Sequence, residues 1–109
     1  MKRYQVIILP AAESDIGGVY ERLAEQNPLA AVRWYNQLLE VIFSLDIFPE
    51  RCPFAPESKF LNAEIREIFH GRRQHKYRIL FTVSEQEVHV LHVRHGARLA
   101  LGETPPSED

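Results

Sequence analysis

Asn27-Pro28 separates two amphipathic repeats by a single polar residue, and this constrains the fold more than any other feature of the chain. Asparagine is a favoured N-cap because its side-chain oxygen accepts an orphan N–H of the first turn. Proline suits the first helical position, where no N–H is required. Before this pair, Ala12, Ile16, Val19, Tyr20 and Leu23 recur at three- and four-residue steps, which predicts a helix over 11–26. After it, Ala31, Trp34, Leu38, Ile42 and Leu45 form one stripe, and Val32, Tyr35, Leu39 and Phe43 form a second beside it. So short a connection makes the two helices an antiparallel hairpin. An apolar face this wide needs a sheet as well as the first helix to cover it. Gly17 and Gly18 each weaken the first helix by roughly 1 kcal/mol relative to alanine, so close packing or a kink is expected there.

Strands flank the hairpin. Residues 3–9 alternate around Tyr4, Val6 and Ile8 and stop at Pro10. Beyond the hairpin, Pro49, Pro53 and Pro56 enforce an irregular loop over 48–59. Strands are then expected at 65–69, 76–83 and 88–94, the last two joined by the polar run 84–87 as an antiparallel hairpin. That register sets Val83 against Val88, Phe81 against Val90 and Ile79 against His92, an apolar face to lie under the helices. Arg78, Leu80 and Thr82 point the other way, toward a partly open face. The chain is therefore read as α+β: strand, helical hairpin, then an antiparallel sheet of three or more strands with the helices on one face.

The 109 residues suit one domain, assigned to 1–101, with a frayed acidic tail over 102–109. The single Cys52 cannot form an internal disulfide and fits a reducing compartment. The apolar run from Val6 to Leu9 is too short for a signal-peptide core, and no stretch approaches the ~20 apolar residues of a membrane helix. A cytoplasmic protein is expected. A Gly-rich phosphate loop, Cys-x-x-Cys, His-Glu-x-x-His and Gly-x-Ser-x-Gly are all missing, which removes the common nucleotide, zinc-protease and serine-hydrolase chemistries. His92 and His95 lie three apart on an extended strand and so face opposite ways, which argues against a shared metal. No metal and no cofactor is expected.

Charge is uneven. Between Lys59 and Arg98, eight basic residues face four acidic ones, a balance of +4, whereas the rest carries 5 basic and 11 acidic residues, or −6. All five histidines lie in the basic part. Arginines converging on an open sheet face would make a site for a polyanion. If that polyanion is RNA, Arg78 and Arg98 can neutralise charge growing on a phosphoryl oxygen while a 2′-hydroxyl attacks, and His95 has a pKa suited to moving the proton. The plain alternative is that His95 and Arg98 only tie the strand end to the fold.

Ile65-Arg66-Glu67-Ile68-Phe69, then Tyr77-Arg78-Ile79-Leu80-Phe81-Thr82-Val83, a short polar turn, Val88-His89-Val90-Leu91-His92-Val93 and His95-Gly96-Ala97-Arg98 resemble the RelE/ParE toxin superfamily. The likeness runs from Tyr4 to Arg98, and its order and spacing are more telling than any single motif. It implies a toxin of a bacterial type II toxin-antitoxin module, of the kind also called plasmid stabilisation proteins. Such a toxin inhibits growth and is silenced in a hetero-oligomer by a small antitoxin that wraps it. The wide stripe of the second helix suits such a partner, with Trp34, Tyr35, Leu38 and Leu39 as anchors. Two branches are implied: RelE-like mRNA interferases acting on the ribosome, and ParE-like inhibitors of DNA gyrase. Arg66, Arg78 and Arg98 match basic positions of the cleaving branch, with His95 as the proton carrier. Ile68 stands where that branch often has a second basic residue, and no tyrosine follows Tyr77. The chain therefore looks closer to the ParE-like branch, with the endoribonuclease and an inactive, binding-only relative as alternatives.

Overall fold

The fold is described from a computed structural model, in which residues 1–71 and 75–96 are described. β1 (Gln5–Ile8) leads into α1 (Pro10–Gln26) and α2 (Pro28–Phe43). Two 3-10 turns follow, at Ser44–Asp46 and Pro49–Arg51, then a short helix α3 (Glu57–Leu61). β2 (Arg66–His70), β3 (Tyr77–Val83) and β4 (Glu87–His95) complete one sheet in the order β1-β4-β3-β2. β2, β3 and β4 are antiparallel as expected, but β1 joins β4 in parallel, so the sheet is mixed.

Asn27 forms the whole joint of the helical hairpin. Its N–H closes α1 on the Leu23 carbonyl at 2.8 Å, and its side-chain oxygen accepts the Ala30 N–H of α2 at 3.1 Å. One residue thus satisfies backbone groups of two helix ends. Ala12, Ile16 and Val19 from α1 and Leu38 and Ile42 from α2 meet Ile79, Phe81, Val88, Val90 and Val93 of the sheet in the main core. Gly17 and Gly18 are not close-packing points, since a Cβ at either would meet nothing within 4 Å. Gly71 differs. Its φ of +95° and the approach of the His75 carbonyl leave no room for a side chain.

Two expectations are corrected. Val83 pairs with Val88 and Phe81 with Val90, but a bulge between Leu80 and Phe81 shifts the ladder, so Ile79 faces Val93 and Leu80 faces His92. The extra residue restores an apolar side chain to the core face where a regular strand would have set His92. The far face of the sheet is also less open than expected. The segment 53–65 crosses it, with the Ala55 N–H on the Ile65 carbonyl and the Glu67 N–H on the Pro53 carbonyl. Ala55 and Ile65 bury Leu80 in a second small cluster, with Leu91 against it. β3 is covered on both faces from Tyr77 to Phe81.

Candidate functional site

Arg78 points away from the helical hairpin, as the alternation requires, yet it is buried. Its Nη2 donates to Glu57 Oε1 at 2.6 Å and its Nε to Glu67 Oε1 at 3.0 Å. The Arg78 side chain is 6% exposed and that of Glu57 0%. Burial alone would lower the guanidinium pKa, but the hydrogen bonds and charges of the two glutamates outweigh it and raise the value above the usual one. Placement on an open basic face is therefore corrected: α3 covers this arginine, and its strongest donors are already taken.

Of the other described basic residues, Arg94 stands directly opposite Arg78 on β4, whereas Arg66 and His95 lie apart from it. Arg66 lies opposite Phe81 on β3, at the sheet margin on the helix side. Its Nη1 donates to the Cys52 carbonyl at 2.6 Å and the Glu50 carbonyl at 3.2 Å, and its guanidinium covers the Phe54 ring at 4.3 Å. His95 pairs with Tyr77, four residues along β3 from Phe81, or about 13 Å at strand spacing. The His95 ring stands edge-on to Tyr77 at 5.3 Å, and Tyr77 meets Trp34 at 5.4 Å. Tyr77 and Arg78 are neighbours on one strand and so face opposite ways, which leaves His95 and Arg78 on opposite sides of the sheet. Arg98 lies outside the described residues. Among the described residues, the candidates Arg66, Arg78 and His95 do not converge on one point.

Other titratable groups have local roles. Asp15 Oδ2 of α1 accepts the Val93 N–H and faces His92 Nδ1, both at 3.0 Å, where β4 outruns β1. Burial raises the Cys52 thiol, partly offset by Arg51 and Arg66, which makes it a poor nucleophile. Among the described residues, no three metal-ligating side chains gather at one point. No helix there is long and apolar enough to cross a membrane.

The hairpin offers a different surface. An open groove of about 530 Å³ runs along α1 and α2, with Ile8, Ile16, Tyr20, Val32, Tyr35 and Leu39 among its walls. Tyr20 and Tyr35 meet edge to face at 5.9 Å. Of the four anchors expected on α2, Tyr35 and Leu39 line this groove. Trp34 is half-buried against the core, with its indole N–H buried and without an acceptor among the described residues. Leu38 is 0% exposed and belongs to the core, so its place as a surface anchor is corrected. Ile8 and Tyr20 were missed, since only the fold brings β1 and α1 to the same groove.

No curated protein matches the chain. Among solved structures, the chromosomal ParDE toxin-antitoxin system of P. aeruginosa is similar at a TM-score of 0.68 and 15% identity, over 85% of this chain and 96% of that one. The RelBE2 toxin-antitoxin complex of Mycobacterium tuberculosis is similar at 0.57 and 24% identity, over 89% and 95% of the two chains. At these identities the likeness is one of fold, and it matches a strand, a helical hairpin and a four-stranded sheet. The profile of the ParE toxin of the type II toxin-antitoxin system parDE matches residues 6–100, nearly the whole described fold, and the chain belongs to that family.

Proposed function

We propose that this type II toxin acts by binding DNA gyrase rather than by cutting messenger RNA, and that a small antitoxin seated in the hairpin groove holds it silent. The separation of Arg66, Arg78 and His95, and the engagement of both arginines by other groups, carry this reading. Metal-free cleavage by a 2′-hydroxyl needs a base, an acid and a charge-neutralising group within hydrogen-bond reach of one phosphate. Arg78 is engaged by Glu57 and Glu67, Arg66 by backbone carbonyls, and His95 lies across the sheet from Arg78. A toxin that works by docking needs no such convergence. Both proposed partners belong to the cytoplasm, which is the compartment this reading requires.

Antitoxin binding draws support from the groove, where Tyr35 and Leu39 present apolar surface at helical spacing. The test is induced expression of the chain alone, scored for growth, DNA-damage response and transcript ends together. Growth arrest with a damage response, intact transcripts and inhibited supercoiling by purified gyrase is the expected result. Ribosome-dependent cuts in mRNA would replace it with the RelE-like endoribonuclease, with Arg66, Arg78, His95 and Arg98 again in question. Unimpaired growth would leave a binding-only relative.

A further inference from the structure

Glu13, Gly17 and Glu21 stand four residues apart on α1 and therefore share one line along the helix, bordering the hairpin groove. The line is a notch between two charges. Gly17 is exposed and a Cβ there would meet nothing within 4 Å, so the missing side chain opens the groove where neighbours on either side carry carboxylates. At 1.5 Å per residue the two glutamates are about 12 Å apart along the axis. Neither makes an ion pair or a side-chain hydrogen bond among the described residues, and no basic side chain lines the groove. The remaining walls are apolar, with Val32, Tyr35 and Leu39 opposite.

We infer that the groove selects a basic amphipathic helix: a bulky apolar side chain seated over Gly17, with Lys or Arg four residues to either side to meet Glu13 and Glu21. The inference rests on the reading of this groove as the antitoxin dock, and it fixes the sign of the partner's charge there. Apolar walls alone would accept any greasy helix. Two unpaired carboxylates in line with a notch discriminate, because like charges brought against them are repelled while opposite charges gain at each end.

Two capped helical peptides of about five turns test this, identical in their leucine stripe and differing only in Lys or Glu at the two flanking positions. The lysine peptide is expected to bind the full chain at least about tenfold more tightly, with the gap narrowing between about 0.05 and 0.5 M salt. Glu13→Lys combined with Glu21→Lys should reverse the preference. Gly17→Leu should abolish binding of both peptides while its melting temperature holds or rises, since leucine is the better helix former. Equal binding of the two peptides, a preference unmoved by charge reversal, or binding of neither would overturn the inference. Equal binding would still leave a purely apolar antitoxin groove in place. Absence of growth arrest on expression would remove the toxin reading whatever the peptides do, so the two failures are distinguishable.

Discussion

Arg78 holds Glu57 and Glu67 at once, 21 and 11 residues away in sequence, and the energetics of such a buried cluster are asymmetric. Removing one partner strands the others without water, at a cost of about 3–5 kcal/mol, a large fraction of a small domain's stability. Arg78→Ala is therefore expected to melt far below the parent chain and to lose toxicity through loss of fold. An unchanged melting curve would return Arg78 to the list of free functional groups. Refilling the site with Arg78→Met and Glu57→Leu, together with Glu67→Gln so that no carboxylate is left stranded, should recover much of the loss, because apolar replacements of a buried ion pair are often neutral. Growth arrest by that refolded variant would show that no guanidinium is needed at position 78. His70 behaves differently. Burial lowers its pKa below 6.5, so the folded state takes up a proton less readily than the unfolded chain. Its contribution to stability is present above the unfolded value and is lost as pH falls through the window beneath it. His70→Gln should show a shallower fall in melting temperature than the parent between about pH 7 and pH 5.

At the level of elements, α1 is stabilised by packing more than by its own propensity. Gly18 sits within α1, and a Cβ there meets open space. Gly18→Ala should therefore raise stability by up to about 1 kcal/mol, read as an increased denaturant midpoint at constant slope. Asn27→Ala should cost about 1 kcal/mol by uncapping α2, a loss the same titration would detect. These joints were legible in the sequence because capping chemistry and a 3.6-residue period act locally. The five-residue α3 was not, since it hides in a proline-rich loop and has no period of its own. The β4 register was partly legible. Val88, Val90 and Val93 step by two and then by three, and the odd step marks the bulge that a regular pairing of Ile79 with His92 overlooked. The site was least legible. Alternation gives the side on which Arg78 emerges, but the Glu57 that covers it comes from a loop whose path only tertiary contacts determine.

Across the whole molecule, the sheet carries two different loads. The helical hairpin covers one face through the large cluster around Phe81, and the segment 53–65 covers the other through Ala55, Ile65 and Leu80. The smaller load has few apolar contacts of its own, and the Arg78–Glu57 pair ties α3 directly to β3, beside the two hydrogen bonds between Ser58 Oγ and the Ile65 backbone. Small clusters without such ties open first, because local stability follows local burial. Relaxing the tie should then separate the two faces kinetically. In Glu57→Gln, a milder change that keeps one acceptor, the amides of Ala55, Ser58 and Glu67 should exchange with solvent much faster than in the parent chain, since their bonds lie within or against the segment. The Ala31 amide at the start of α2 and the Leu9 amide on the Val90 carbonyl should keep their protection. Uniform acceleration of all five would mean that the sheet and both of its covers unfold as one unit. If only the strap loosens, the groove on the hairpin side keeps its shape, and the same variant should bind the lysine peptide as the parent does. Partner recognition would then be set by one face of the sheet independently of the ion pair locked on the other.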